Sequence, residues 1–348
     1  MSTFSSGSRR RWWSMLSVGM LMLAMALPAA AEEAEYTLVD LGTLGGANSG
    51  ASDINRYGRV TGTSQTASGE THAFMWRRGH MTDIGTLGGG ESAGTAINDT
   101  GYVVGSSRTS KGETYAFIWR NRPMQSLGSL GGNYSAAFDI TNGEQVVGES
   151  KTAAGTIHAF LWYRGTMTDL GTLGGGMSSA RAINQNKIIV GKSETASGET
   201  HAFIWQNGTM TDLGTLGGTT SEAYAINDSN QIVGVSTTAT GQRHAFLWKD
   251  GVMIDLGTFL GFSEPDDFQV SSVAQGINGD GLIVGVSVTD YRESHAMLWQ
   301  DGTISDLGTL GGQYSHAAAI NGAGQIVGGS DLGESGISPT HAVLWNPK

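Results

Sequence analysis

Short stretches of alternating apolar and polar residues, separated by turn residues, run along the chain from residue 36 to its end. One set reads SEAYAIN, NQIVGVSTT, QRHAFLW and VMIDLG. Alternation with a period of two in short segments is typical of half-buried β-strands. No segment beyond residue 31 shows the 3.6-residue period of an amphipathic helix. The pattern therefore predicts an all-β protein.

Residues that favour tight turns separate the predicted strands. Between the first and second strands of a set lies the pattern N-x-x-G, as in Asn98 to Gly101. Its asparagine can form an Asx-turn, and its glycine can adopt a positive φ. Between the third and fourth strands lie two-residue segments typical of type I′ hairpins. They are Asn207-Gly208, Asp250-Gly251 and Asp301-Gly302.

The set of four strands recurs seven times. Four phrases mark it in register: AIN, IVG, HAFxW and DLGTLGG. The last phrase begins 43 residues after its predecessor at each of five steps and 51 residues after it at the sixth. It begins at Asp40, Asp83, Ser126, Asp169, Asp212, Asp255 and Asp306. Seven repeats of about 43 residues with four strands each predict a seven-bladed β-propeller.

The two ends of the chain favour a closed ring over the alternative, an open β-solenoid. YTLVDLG near the start corresponds to the fourth strand of a repeat, and THAVLWNPK at the end corresponds to the third. Pairing of these strands completes the last blade and closes a propeller domain of residues 32–348, whereas a solenoid gains nothing from the split. Within a blade, AIN is expected innermost, with small side chains near the axis, followed outward by IVG, HAFxW and MTDLG.

The histidine of HAFxW and the aspartate of DLGTLGG are expected to pair in six blades. A hairpin with an Asn-Gly turn places His201 and Asp212 as diagonal neighbours on one sheet face. The expected pairs are His72/Asp83, His158/Asp169, His201/Asp212, His244/Asp255, His295/Asp306 and His341/Asp40. In the other repeat both partners change together, to Tyr115 and Ser126. The repetition indicates a structural role, with the carboxylate held away from solvent.

The first 31 residues differ from the rest. They contain Arg9, Arg10 and Arg11, then the apolar run SMLSVGMLMLAMAL, then Ala29 and Ala31 in an A-x-A arrangement. This order predicts a cleaved signal peptide of residues 1–31 and an exported protein, periplasmic or extracellular, by the general secretory or the twin-arginine route. The run is short for a bilayer span and no second one follows, so no membrane insertion is expected after cleavage.

Charge and cysteine content narrow the range of partners. Removal of the three arginines leaves 17 basic against 31 acidic residues, a net charge of −14. Nucleic acid is therefore not an expected partner, because phosphate binding needs a basic face. The chain has no cysteine, so packing must stabilise it without disulfides. The repeated histidines are too far from the axis to converge on one ion, so no metal or other cofactor is expected. A monomer is expected.

Three loops depart from the repeat. The crossover after Asp255 is eight residues longer than its equivalents, the loop after Gly328 is three residues longer, and TDYRES replaces TASGET between them. Such loops emerge on one face of a propeller, so they form a candidate binding rim. The rim residues are Glu264, Asp266, Asp267, Asp290, Tyr291, Arg292, Glu293, Asp331 and Glu334. The alternative interpretation is tolerated variation of exposed loops.

With HAFLW, IVG, AIN and DLGTLGG in register, residues 36–348 resemble the HAF-repeat family of bacterial extracellular proteins. The chain departs from the repeat at Tyr115 with Ser126, at Met297 and Val343 in place of the phenylalanine, and at DLGTFLGF. The resemblance implies export and a repeat architecture, and it implies no reaction or substrate.

These observations predict a secreted, non-enzymatic binding or scaffold propeller that recognises a protein or a glycan through the rim. No unrepeated set of residues has the arrangement of a catalytic site. The alternative is a hydrolase or lyase that acts on polysaccharide. It would use Glu264, Asp266 or Asp267 of the 262–270 insertion as acid and base, since glycoside hydrolysis needs two carboxyl groups.

Overall fold

A computed structural model describes Met1 and residues 36–259, 271–289, 293–333 and 339–348. The chain divides into Met1–Glu32 and a compact unit, Glu33–Lys348, and everything described below belongs to the second unit. Every regular element within the described ranges is a β-strand, as the alternating pattern predicts.

The strands are short, and they follow one another in the same order in each sequence repeat. The first fourteen are β1 (Tyr36–Asp40), β2 (Gly45–Ile54), β3 (Val60–Thr66), β4 (Thr71–Arg77), β5 (His80–Asp83), β6 (Gly88–Ile97), β7 (Val103–Thr109), β8 (Thr114–Trp119), β9 (Gln125–Gly128), β10 (Gly131–Ile140), β11 (Val146–Thr152), β12 (Ile157–Tyr163), β13 (Thr166–Asp169) and β14 (Gly174–Ile183). The others are β15 (Ile189–Thr195), β16 (Thr200–Gln206), β17 (Thr209–Asp212), β18 (Gly217–Ile226), β19 (Ile232–Thr238), β20 (Arg243–Lys249), β21 (Val252–Asp255), β22 (Ser272–Ile277), β23 (Ile283–Val288), β24 (Ser294–Gln300), β25 (Thr303–Asp306), β26 (Ser315–Ile320), β27 (Ile326–Asp331) and β28 (Thr340–Pro347).

Each sequence repeat contributes four antiparallel strands in chain order. Repeats 1 to 6 comprise β2–β5, β6–β9, β10–β13, β14–β17, β18–β21 and β22–β25, and repeat 7 comprises β26, β27, β28 and β1. In repeat 4, Gly191 lies opposite Phe203, which lies opposite Asp212. Trp205 lies opposite Met210. The strand order and this register agree with the sequence prediction.

The predicted turns form as their residues require. In the turn between β16 and β17, φ is 52° at Asn207 and 86° at Gly208, as a type I′ turn needs. In the N-x-x-G turn of repeat 2, Asn98 Oδ1 accepts a hydrogen bond from the Tyr102 amide at 2.9 Å, and Gly101 has a φ of 87°. These turns depend on local residues alone, so the sequence predicts them well.

The glycine of IVG is required by the close approach of two strands. β14 has a register shift between Ala180 and Ala182, which brings its backbone toward Gly191 of β15. A Cβ atom at Gly191 would overlap the carbonyl oxygen of Ser179. The same overlap would occur at Gly62, Gly105, Gly148, Gly234, Gly285 and Gly328. A β-bulge in the first strand therefore explains why glycine recurs in the second.

A buried serine joins each repeat to the one before it. Ser221 of β18, only 3% exposed, accepts a hydrogen bond from the Ala202 amide at 2.8 Å and donates one to the Gly214 carbonyl at 2.6 Å. Ala202 belongs to repeat 4, and Gly214 lies in the crossover between the repeats. Equivalent serines are Ser49, Ser92, Ser135, Ser178, Ser272 and Ser315.

The asparagine of AIN forms a second link between repeats. Asn184 Nδ2 donates a hydrogen bond to the Asn227 carbonyl of the next repeat at 3.1 Å. Asn55, Asn98, Asn227, Asn278 and Asn321 make equivalent bonds. Repeat 3 has Thr141 at this position. The bond from Asn321 reaches the Asn55 carbonyl, so it joins repeat 7 to repeat 1.

The first and last described strands pair with each other. β1 is antiparallel to β28, with Tyr36 opposite Pro347. Beyond β1, Leu41 is buried in an apolar cluster with Phe74 of repeat 1 and Leu344 of repeat 7. Other apolar clusters likewise combine side chains from neighbouring repeats. The hydrophobic core therefore lies between repeats, and it includes the junction of repeat 7 with repeat 1.

Candidate functional site

Hydrogen bonds link the histidine and aspartate of all six predicted pairs. His201 Nδ1 lies 2.7 Å from Asp212 Oδ2. The other five pairs, His72/Asp83, His158/Asp169, His244/Asp255, His295/Asp306 and His341/Asp40, have shortest Nδ1–Oδ distances of 2.6–2.8 Å. Asp212 Oδ1 also accepts the Gly214 amide at 2.7 Å. The aspartate therefore ties the third strand of a repeat to its crossover.

These pairs lie closer to solvent than the sequence prediction placed them. The side chain of Asp212 is 41% exposed and that of His201 is 16% exposed. In repeat 2, the Ser126 hydroxyl accepts the Gly128 amide at 3.2 Å, so the bond to the crossover persists without a carboxylate. Partly exposed polar pairs contribute little to stability, because water competes for both partners. The expected contribution of each pair is correspondingly modest.

Asp212→Ala should lower the free energy of unfolding by about 1 kcal/mol, because it removes a partly exposed hydrogen bond to His201 and the acceptor of the Gly214 amide. His201→Ala should cost less, since the Gly214 amide keeps its acceptor. The double variant should cost less than the sum of the two, which urea unfolding of the four proteins measures. Tyr115→Phe is the control, because Ser126 replaces the aspartate in that repeat. Strictly additive costs would show that the two side chains are not coupled.

Most of the predicted rim lies outside the described residues. This holds for Glu264, Asp266, Asp267, Asp290, Tyr291, Arg292 and Glu334. Of the two that are described, Glu293 Oε2 lies 3.5 Å from His295 Nε2, and Asp331 accepts the Thr340 hydroxyl at 2.8 Å. Each of these carboxylates therefore contacts a neighbouring part of its own repeat.

A central cavity of about 180 Å³ is lined by the first strands of all seven repeats. One equivalent position lines it in every repeat, with a different residue each time. These residues are Ser52, Thr95, Phe138, Arg181, Tyr224, Gln275 and Ala318. The expectation of small side chains near the axis is wrong for Phe138, Arg181 and Tyr224, because the cavity leaves room for large side chains from repeats 3 to 5.

Arg181, Lys192 and Glu222 form a charged cluster beside this cavity. Arg181 Nε lies 2.9 Å from Glu222 Oε1, and Lys192 Nζ lies 3.1 Å from Glu222 Oε2. The Arg181 guanidinium also lies 4.5 Å above the Phe138 ring. Burial raises the pKa of Tyr224 to about 12, and the Glu222 charge adds to this rise. Two cations thus share one carboxylate in a half-buried setting.

The charged cluster borders a groove of about 380 Å³ between repeats 3 and 4, here termed the 3–4 groove. Repeat 3 contributes Glu149 and Ile157, and repeat 4 contributes Met177, Arg181 and Lys192. Burial and the bond to Glu149 raise the pKa of Tyr134, whose hydroxyl donates to Glu149 at 2.8 Å.

A matching groove of about 320 Å³, the 1–2 groove, lies at the equivalent place between repeats 1 and 2. There Thr63, Ala93 and Ser106 occupy the positions held by Glu149, Ser179 and Lys192 in the 3–4 groove. The repeats therefore form both grooves, but the charges of Glu149 and Lys192 have no counterpart at the same positions of the 1–2 groove.

Two further carboxylates line the central cavity. Asp53 accepts the amides of Ile54 and of Ile97, which belongs to the next repeat, each at 2.8 Å. Asp139 accepts the equivalent amides of repeats 3 and 4 at 2.7 and 2.8 Å. Burial raises the pKa of Asp53 to about 7 and that of Asp139 to about 6, although the amide bonds oppose the rise. These carboxyl groups bridge neighbouring repeats.

The charged cluster is missed when only loops are compared between repeats. The strands of the sequence nevertheless contain a sign of this cluster, because its residues depart from the repeat. Glu222 takes the position that is Gly50, Ala93 or Ala136 in the first three repeats. Alignment of the chain on its own 43-residue period marks these departures, but it does not show that three of them meet.

Metal sites and membrane spans have specific geometric requirements. Within the described ranges, no group of three or more His, Asp or Glu side chains is placed to hold a metal ion. No helix in the described part of the chain is long and apolar enough to cross a membrane.

Comparison with known proteins relates the fold to solved structures. No protein-family model and no curated protein matches the chain. The β-propeller domain of the Trilobed protease from Pyrococcus furiosus matches with a TM-score of 0.56 and 10% identity, over 86% of this chain and 96% of that one. A Mycobacterium tuberculosis puromycin-hydrolyzing peptidase matches with a TM-score of 0.53 and 12% identity, over 90% of this chain and 51% of that one.

An acylaminoacyl peptidase from Pyrococcus horikoshii matches with a TM-score of 0.52 and 10% identity, over 88% of this chain and 52% of that one. The chain spans about half the length of these two peptidases. At such low identities the likeness concerns the fold and not the activity. Together with the all-β architecture, it shows that the chain has a β-propeller fold.

Proposed function

We propose that the chain is a seven-bladed propeller, each repeat forming one blade, and that pairing of β1 with β28 closes the ring. The register that places Tyr36 opposite Pro347 supports closure. So do the bond from Asn321 to the Asn55 carbonyl and the bond from the Ala342 amide to Ser49 Oγ. Packing of Leu41 between repeats 7 and 1 supports it as well.

We infer that this propeller is an exported, non-enzymatic binding protein for a protein or a glycan. The charged cluster carries this inference. Its three charges come from different strands and lie half-buried beside a groove, and the position of Glu222 is occupied by Gly50, Ala93 or Ala136 in the first three repeats. Both Glu222 oxygens are engaged by cations, so they are not free to take a proton from a substrate. Such a constellation suits recognition better than acid–base catalysis.

The loop rim extends the proposed binding surface. The rim predicted from the sequence is kept here as part of the proposal. Glu293 and Asp331 are the described members of this rim.

The test is to screen the mature protein, residues 32–348, against a glycan array and a peptide library, with an assay for turnover of every ligand found. We expect binding without turnover, weakened by about tenfold in Glu222→Gln, because the freed cations then lose their fixed positions. Glu91→Gln in the 1–2 groove is the matched control and should bind normally. Turnover of a polysaccharide that depends on Glu264, Asp266 or Asp267 would overturn the proposal in favour of a hydrolase or lyase.

A further inference from the structure

The 3–4 groove contains a buried hydroxyl with no hydrogen-bond partner. Ser179 is 3% exposed, lines the groove, and its Oγ makes no hydrogen bond with the described residues. Buried polar atoms in folded proteins are nearly always satisfied, so an unpaired one calls for a physical reason. The equivalent residue of the 1–2 groove is Ala93, which has no such group. The hydroxyl is therefore not needed to build a groove.

The same groove presents hydrogen-bond donors beyond those that Glu222 uses. Arg181 bonds Glu222 through Nε, and its two terminal nitrogens make no hydrogen bond within the described part of the chain. Lys192 uses one of its three donors on Glu222. Two cations against one carboxylate leave one positive charge. A guanidinium fork, an ammonium and a hydroxyl together match the two oxygens of a carboxylate.

The rest of the groove has apolar and acidic side chains in its lining. Ile157 and Met177 form an apolar part of the lining, and Met177 is 54% exposed. Glu149 and Glu194 add two carboxylates, of which Glu194 accepts the Gly176 amide at 2.8 Å. A ligand that complements this arrangement has an anionic end, an apolar side chain and a cationic end.

Resting on the binding function proposed above, we propose that the 3–4 groove binds a short peptide by its free C-terminal carboxylate. The carboxylate contacts Arg181, Lys192 and Ser179, an apolar last side chain contacts Ile157 and Met177, and the amino end faces the acidic side of the groove. A volume of about 380 Å³ is at the small end of ligand sites and suits a ligand of a few residues.

Charge favours a peptide over an acidic polysaccharide in this groove. The mature chain carries a net charge of −14, and the groove itself contains two carboxylates. A polyanion would be repelled by both, whereas a zwitterion places each of its charges against an opposite one. The amino end gives the peptide a feature that a uronic acid lacks.

Isothermal titration calorimetry tests this with four probes: the tripeptide Ala-Ala-Leu, its C-terminal amide, its N-acetyl form, and trigalacturonate. The amide should bind about tenfold more weakly than the acid, because its neutral end loses charge-assisted hydrogen bonds. The N-acetyl form should bind about threefold more weakly, since it loses a more exposed charge pair.

Two variants separate binding from folding. Lys192→Gln should lower the affinity for the tripeptide acid about tenfold and leave the affinity for the amide unchanged. A purely structural role for Lys192 would not produce this difference. Ser179→Ala should lower the affinity for the tripeptide acid about threefold. It should not lower the melting temperature, because the Ser179 hydroxyl has no hydrogen-bond partner to lose within the described residues. Arg108→Gln in the 1–2 groove is the matched control and should bind the acid normally.

Equal affinity for acid and amide would overturn the proposal. Tighter binding of trigalacturonate, lost in Lys192→Gln, would overturn it in favour of an acidic glycan. If the array ligand binds Lys192→Gln normally and no peptide binds, this inference fails while the proposed binding function stands. If no ligand of any class binds, the binding function fails as well.

Discussion

Deletion of residues 32–44 should abolish cooperative folding or yield an aggregating protein. The deletion removes β1 and exposes the edge of β28, and it removes Leu41 from the core between repeats 7 and 1. Loss of a single buried leucine side chain costs about 2–5 kcal/mol, against a total stability of about 5–15 kcal/mol for a typical domain. The exposed apolar edge HAVLW can template association. Thermal unfolding and size-exclusion chromatography measure both effects.

A permuted chain provides the control for this deletion. Residues 36–44 can follow Pro347 through an Asn-Gly turn, because Pro347 lies opposite Tyr36. The new hairpin reproduces the connection between third and fourth strands of the other repeats. We expect the permuted protein to regain a cooperative transition close to that of the original chain. A deleted protein that stays monomeric with an unchanged melting temperature would contradict the closed ring.

Ser221→Ala should lower the free energy of unfolding by about 2–4 kcal/mol. The hydroxyl is buried, accepts the Ala202 amide and donates to the Gly214 carbonyl, so its loss leaves two buried backbone groups unpaired. Each unpaired buried group costs about 1–3 kcal/mol. The effect should exceed that of Asp212→Ala, because water can replace the partners of an exposed carboxylate but not those of a buried hydroxyl. Chemical denaturation measures the difference.

Ser197→Ala is the matched control for Ser221→Ala. Ser197 lies in an exposed turn, where its hydroxyl contacts Thr195 and Glu199. Its replacement should change the stability by less than about 0.5 kcal/mol. If the two serine variants were equally stable, the link between repeats would depend on the backbone and apolar packing alone.

The sequence was informative wherever one repeat suffices to explain a feature. Alternation identifies the strands, Asn207-Gly208 identifies a hairpin, and the hairpin register places His201 beside Asp212. All of these are short-range relations within about a dozen residues. The exposure of the pair was not predictable in the same way, because it depends on how neighbouring repeats pack.

The links between repeats were less evident from the sequence, although their residues recur just as regularly. Ser221 and Asn184 each stand in a repeated phrase, but both bond to a different repeat, so no single repeat explains them. Gly191 is similar, because a β-bulge in the adjacent strand is what excludes a side chain there. Repetition shows that a residue matters to the scaffold, and only the packed structure shows which contact it makes.

By itself, the sequence determined the all-β class, the seven repeats, the turn types and the pairing of histidine with aspartate, because these follow from local periodicity and turn chemistry. Only the tertiary structure brought Arg181, Lys192 and Glu222 together, from strands 30 and 41 residues apart in the chain. It also placed them beside a groove with an unpaired Ser179. The reason is physical: each repeat folds by its own pattern, but a site between repeats exists only once neighbouring sheets pack against each other.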